Sequence, residues 1–338
     1  MTFMETYMRT LRFICTVLLL AMLAAPLFGA GADSGYKVSK HIAIGGEGGW
    51  DYLTFDQTSR RLFIARATRV MVVDVDGGRL LGEIPGINGA HGVAIAAKAG
   101  RAAASSGKAD SVLIFDLKTL AQVATVKTGG KPDAILFEPL TGLVAAFDGA
   151  TNDVTLIDPE KAEAVGKVAL PGRPEFGVSD GAGKVFVNLE DKNAIAVIDI
   201  KARKVIATWP LDGCEEPTGL AFDAANRRLF SGCHNTTLVV MDADSGRNVQ
   251  KLTIGARVDA VVFDAAKKLV FTSNGEGNIS VIRQDSADGY TSYQNVATAV
   301  GARTIALDAA QHRLYTVANV ASPDAAGKPT FEVLVVEQ

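Results

Sequence analysis

Short apolar runs ending in Asp or a stand-in return seven times along the chain, at intervals of about 42 residues: Val72-Val73-Asp74, Ile114-Phe115-Asp116, Leu156-Ile157-Asp158, Val197-Ile198-Asp199, Val240-Met241-Asp242, Val281-Ile282-Arg283 and Leu334-Val335-Val336. A second series falls between them, built on Leu53-Thr54-Phe55, Gly92-Val93-Ala94-Ile95, Ala134-Ile135-Leu136-Phe137, Phe176-Gly177-Val178, Gly219-Leu220-Ala221-Phe222, Ala260-Val261-Val262-Phe263 and Thr304-Ile305-Ala306-Leu307. Two interleaved sevenfold series mark a toroidal array rather than a layered fold. Each unit contains four segments rich in Val, Ile, Leu and Phe, divided by Gly, Asn, Asp and Lys clusters, which is the signature of antiparallel strands and turns. Blade five illustrates it: strands are expected over Thr218 to Asp223, Arg228 to Cys233, Leu238 to Asp242 and Asn248 to Ile254. No unit shows the three- and four-residue apolar spacing of a helical repeat. The pattern therefore predicts an all-β, seven-bladed β-propeller with four antiparallel strands per blade.

Side chains alternate faces along a strand, and the inner strands sort by size. One face carries Leu53/Phe55, Val93/Ile95, Ile135/Phe137, Leu220/Phe222, Val261/Phe263 and Ile305/Leu307; the other carries Gly92/Ala94, Ala134, Gly219/Ala221, Ala260 and Ala306. Large faces packing on a neighbour's small faces would give this sorting. Blade four, with Gly177 and Ser179, departs from it, and looser packing is expected there. The last unit supplies only three strands, and Tyr36 to Ile44 has the character of the missing outer one. Closure of the ring by this N-terminal strand removes an exposed sheet edge.

Arg9 and Arg12 precede an apolar stretch from Phe13 to Leu23, and Ala30-Gly31-Ala32 supplies a small-residue cleavage site. Residues 1–32 read as a signal peptide and 33–338 as one propeller domain, exported to the periplasm or secreted; an uncleaved anchor is the competing reading. The mature chain contains no stretch long enough for a transmembrane helix. Cleavage would change the formal charge of −3 to −4, and no Lys/Arg cluster stands out, which disfavours a nucleic-acid partner. Cys214 and Cys233 flank the first hairpin of blade five, and export points to a disulfide between them. The rival is a Cys-Cys-His metal site with His234, for which no fourth ligand is evident.

Phe186-Val187-Asn188, then Lys192-Asn193-Ala194-Ile195-Ala196-Val197-Ile198-Asp199 and Lys204-Val205-Ile206-Ala207-Thr208, resembles the YVTN repeat; Phe271 to Ile282 is a degenerate copy. The resemblance covers the mature chain and implies an exported bacterial propeller of the YncE-like kind, with no shared catalytic motif. Blade one departs from the pattern, with Phe63-Ile64-Ala65-Arg66 in place of the tetrapeptide.

Aligned on their inner strands, the seven units place Asp51, His91, Asp133, Glu175, Thr218, Asp259 and Arg303 at one equivalent position beside the channel mouth. Four carboxylates around one axis repel, so they are expected to bind a cation, pair with Arg303 or hold raised pKa values. Solvated polar side chains at a wet opening are the bland alternative. Loops between second and third strands add Arg66, Asp148, Glu190, His234, Asn274, Glu276 and Asn319 to the same rim. Asn274-Gly275 reads as a tight turn. The blade-seven connection, Ala318 to Thr330, either covers the channel or is an irregular excursion.

Three functions remain. The leading one is non-enzymatic binding of a protein partner, cell-envelope component or small polar ligand at the mouth. The second is a lactonase-like hydrolase or cycloisomerase, with His91 as base, Glu175 or Asp133 orienting it and Arg303 stabilising an oxyanion. The third is a divalent metal site using Asp51, His91, Asp133 and Asp259. The openings of calcium-like loops at Asp74 to Gly77 and Asp242 to Gly246 lack the distal Glu and are expected to be hairpin turns.

Overall fold

In a computed structural model the described residues, 35–321 and 329–338, form seven four-stranded antiparallel sheets. The expected signal peptide lies outside them. Six sheets use consecutive strands, from Leu53–Asp56 through Arg79–Pro85 in blade one to Val258–Asp264 through Gly289–Ala297 in blade six. The seventh joins Ile305–Asp308, Arg313–Ala321 and Pro329–Glu337 to Lys37–Ala43, so the N-terminal strand closes the ring. His41 pairs with Leu334 and Ile42 with Val333 in that closure. The blade-seven hairpin runs further than expected, to an Ala321–Pro329 pair. No helix among the described residues is long and apolar enough to cross a membrane.

The Asp residues of the repeat are turn caps. Asp74, Asp116, Asp158, Asp199 and Asp242 end the third strands, and each accepts backbone N–H groups two or three residues ahead. Asp56, Asp223, Asp264 and Asp308 do the same after the inner strands. Short carboxylates that satisfy their own turn explain why Asp punctuates the array. The calcium-like openings are thereby hairpin turns, as expected.

Among the described residues, most apolar burial falls in seven clusters, each spanning neighbouring blades, with a smaller eighth around Ala302, Ala318 and Leu334. Glycine on the small faces marks where a neighbour presses closest. A Cβ on Gly219 would lie 2.6 Å from the Ala260 Cα, inside blade six. Blade four corrects the expectation of loose packing, because a Cβ on Gly177 would lie 2.5 Å from the Phe147 ring. The glycine leaves the space that Phe147 fills.

Candidate functional site

Five of the seven inner strands break register near their start, between Ala90 and Val93, Pro132 and Ile135, Pro174 and Gly177, Pro217 and Leu220, and Val258 and Ala260. Such irregularities re-aim a side chain at the rim of a closed array. They are where His91, Asp133, Glu175, Thr218 and Asp259 stand. Asp51 and Arg303 sit just ahead of their strands, and the Asp51 backbone is held by Thr304 Oγ1 (2.9 Å) and its N–H by the Ala65 carbonyl (3.1 Å).

The side chains meet as a network. His91 Nδ1 lies 2.6 Å from Asp51 Oδ2 and 3.3 Å from Asp133 Oδ1. The Arg303 Nε donates to Asp259 Oδ2 (2.6 Å), one Nη donates to the Trp50 carbonyl (2.7 Å), and the same nitrogen stands 4.0 Å from Asp51 Oδ1. Glu175 accepts a hydrogen bond from the Tyr52 hydroxyl (3.1 Å). Thr218 departs from the expected ring: it is buried, and its hydroxyl donates to the Val258 carbonyl (3.0 Å) in the blade wall.

Tyr52, which the residue pattern did not single out, divides the channel. It belongs to blade one yet packs in the cluster between blades three and four, its ring 4.9 Å from that of Phe176 and its hydroxyl on Glu175. Above it are the ionisable groups. Below it the channel opens into a cavity of about 590 Å³ lined by Phe55, Phe137, Phe176, Phe222, Phe263 and small or aliphatic neighbours, with no charged side chain. Arg60 and Arg227 cover the Phe55 and Phe222 rings, and both pair with carboxylates.

Charge crowding at the mouth has one direction. Burial pushes the Asp133 carboxyl up, opposed by His91 and reinforced by Asp51. Glu175 is raised well above the ordinary range by burial and by Asp133, Glu190 and Asp259. Asp259 is pushed up to about 6 by burial and Asp51, against the pull of Arg303. Burial works against the His91 imidazolium, but the Asp51 hydrogen bond and the Asp133 and Asp51 charges outweigh it and raise its pKa. Tyr52 is raised well above 10 by burial and the surrounding carboxylates. Five carboxylates, Glu190 included, therefore stand against one imidazole, one guanidinium and the Lys131 ammonium, an arrangement that favours protons or another cation.

The rim residues fare differently. Arg66 is buried, its guanidinium 3.4 Å above the Phe331 ring and its nitrogens on the Gly46 (2.5 Å) and Glu47 (3.2 Å) carbonyls; burial lowers its pKa to about 10. It is a structural pin rather than a rim ligand. Asn274 is likewise buried in a blade-six network, and positive φ falls on Gly277 instead of Gly275. Glu276 accepts from Asn278, Glu190 pairs with Arg173 (2.8 Å), Asn319 is exposed, and Asp148 is buried. Cys214 and Cys233 form a disulfide, Cα atoms 5.5 Å apart, which removes both thiols from the metal alternative; His234 pairs with Glu216 (3.0 Å) instead. Among the described residues, Asp51, His91 and Asp133 bring ligand atoms within 4.8 Å of one another, and Asp259 is turned to Arg303.

No family model matches the chain, and no curated protein matches it. Among solved structures it is similar to a chain of the crystal structure of a mitotic checkpoint complex, at 14% identity over 92% of this chain and 96% of that one, with a TM-score of 0.72. It is also similar to a chain of Kuenenia stuttgartiensis hydrazine synthase, at 15% identity over 72% and 97%, with a TM-score of 0.53. These likenesses show the fold alone, a β-propeller.

Proposed function

We propose that this chain is an exported, non-enzymatic binding propeller, periplasmic or secreted, whose channel mouth takes a small polar ligand carrying positive charge. A divalent metal ion is the simplest such ligand. A protein partner or cell-envelope component would engage the same mouth through an amine. One observation carries the reading: Asp51, Asp133, Glu175 and Asp259 crowd a mouth above Tyr52, and among the described residues the cationic groups set against them are the His91 imidazole, the Arg303 guanidinium and, through space, the Lys131 ammonium. His91 Nδ1 faces both Asp51 and Asp133, so a proton bridges groups that a metal ion would ligate.

The lactonase-like alternative needs His91, Glu175 and Arg303 to converge on one reacting atom. Here Asp51 and Asp133 hold the imidazole, Glu175 is engaged by Tyr52, and Arg303 by Asp259 and the Trp50 carbonyl, which favours binding over catalysis. Isothermal titration of chelator-treated protein with MnCl₂, ZnCl₂ and cadaverine at pH 7.5 tests the proposal. Wild type is expected to bind at least one of them, and an Asp51→Asn/Asp133→Asn variant to bind at least tenfold more weakly. Absence of binding in wild type, or equal binding in the variant, overturns it.

A further inference from the structure

Blades three and six carry the same hairpin device with one chemical difference. In blade six, Asn274 stands opposite Asn278 in register, and its Nδ2 donates to Asn278 Oδ1 (2.7 Å) and Ser280 Oγ (3.1 Å). The Ser280 hydroxyl oxygen accepts the N–H of Gly255 (3.0 Å). Gly255 lies four residues before the mouth carboxylate Asp259. Blade three repeats this with Asp148 opposite Asp153, with Thr155, and with Gly129 four residues before Asp133. Thr155 Oγ1 donates to Asp148 Oδ2 (2.6 Å), and the Gly129 N–H reaches Asp148 Oδ2 and Thr155 Oγ1, both at 3.1 Å.

Both glycines are dictated by close approach. A Cβ on Gly129 would lie 2.4 Å from Asp153 Oδ1, and one on Gly255 would lie 2.4 Å from Asn278 Oδ1. Lys131 and Arg257, at matching places in the two segments, share a left-handed backbone, with φ of 54° and 61°. What differs is the donor. Where Asn274 offers an amide N–H, Asp148 Oδ1 is buried with no hydrogen-bonding partner and faces a second carboxyl. A proton on one of the two acids supplies the missing donor.

We infer that Asp148 and Asp153 share a proton, and that this shared proton anchors the Gly129–Asp133 segment, making Asp148 a positioning residue for Asp133 at the mouth. The charged groups around the pair do not replace that proton. Lys167 Nζ lies 3.3 Å from Asp153 Oδ2 at the exposed side, and Asp110 of the neighbouring blade holds the Lys131 N–H (2.8 Å). Burial pushes Asp148 up to about 7, with the Thr155 bond opposing and Asp153 adding to the rise. The Gly129 N–H bond by itself favours the ionised carboxyl, but release of the proton to solvent sets two carboxylates face to face beneath Gly129, and their repulsion outweighs that gain and opens the segment. The functional consequence rests on the mouth being a binding site; the anchor itself does not.

Hydrogen exchange of the full chain, corrected for intrinsic base catalysis, tests the anchor without any ligand. In wild type, exchange at the Gly129 amide is expected to rise at least fivefold between pH 6 and pH 8, while the Gly255 amide, held by the amide version, stays flat. Asp148→Asn supplies the blade-six donor and is expected to abolish the rise while keeping protection at pH 8. Asp153→Asn is expected to do the same and serves if Asp148→Asn does not fold; Asp148→Leu loses protection at both pH values. A flat Gly129 profile in wild type, or an unchanged rise in both Asn variants, overturns the inference. An intact exchange step alongside a mouth that binds no cation would leave the anchor standing and remove only the proposed function.

Discussion

The two halves of the channel are built from the same seven inner strands and have opposite chemistry. Above Tyr52 the strand starts present Asp51, His91, Asp133, Glu175, Asp259 and Arg303, with the Asp133, Glu175 and Asp259 carboxyls pushed toward protonation. Below it, a few residues along the same strands, Phe55, Phe137, Phe222 and Phe263 line a cavity without charge. A propeller repeat thus sets chemistry by height along the strand, not by blade. The wall between the halves is one side chain, apolar where it packs on Phe176 and polar where it meets Glu175.

Removing that wall should have the largest effect. Tyr52→Ala is expected to lose about 3–5 kcal/mol of stability in denaturant titration, because an aromatic ring leaves a packed cluster and the polar half gains a path to the apolar one. Tyr52→Phe keeps the ring and removes the donor to Glu175; a loss of about 1–2 kcal/mol is expected, with Glu175 shifted further toward its acid form. Equal losses in the two variants would mean the hydroxyl matters as much as the wall.

Next in size is the counter-ion. Arg303→Met leaves Asp259 buried and unpaired, with an expected loss of about 1–2 kcal/mol, reduced from the value for a fully buried pair because Arg303 is partly exposed. The loss should be greater at pH 8 than at pH 5, since Asp259 titrates near 6 and its charge is what the guanidinium balances. A pH-independent loss would show that Arg303 contributes packing on Trp50 rather than charge.

The pH dependence of the wild type separates the halves without mutation. Asp133, Asp148, Glu175, Asp259 and His91 all have raised folded pKa values, so between pH 5 and pH 8 the native protein holds more protons than the unfolded chain. Their stabilising contribution is complete below the unfolded carboxylate range, about 4, and is lost as pH rises through about 6 for Asp259 and higher for His91. Melting temperature of metal-free protein should fall between pH 5 and pH 8, and an added divalent cation should restore it more at pH 8, because cation and proton compete. The smallest effect belongs to the apolar half: Phe222→Ala, at a half-buried ring, should lose about 1 kcal/mol and leave this pH slope unchanged.

The architecture was readable because an array repeats its errors as well as its rules: seven apolar runs, seven inner strands and small faces opposite large ones leave little freedom. The equivalence of Asp51, His91, Asp133, Glu175, Asp259 and Arg303 followed from the same alignment, and the structure joins them. Thr218 and Arg66 failed because their partners, the Val258 carbonyl and the Phe331 ring, belong to other strands that spacing does not reveal. Tyr52 was invisible for a related reason: it sits beside Asp51 in sequence, but its role lies across the channel, 123 residues away at Glu175. Blade four misled because a glycine read as missing volume is volume supplied by Phe147.

The upper half of the channel is proposed as a cation site, and the lower half is not. Crystals grown without chelator and soaked in MnCl₂, with data collected at the manganese edge, test it most directly. An anomalous peak is expected on the axis above Tyr52, ligated by Asp51, Asp133 and the His91 ring. No peak at the mouth, or a peak bound by other side chains, would contradict it.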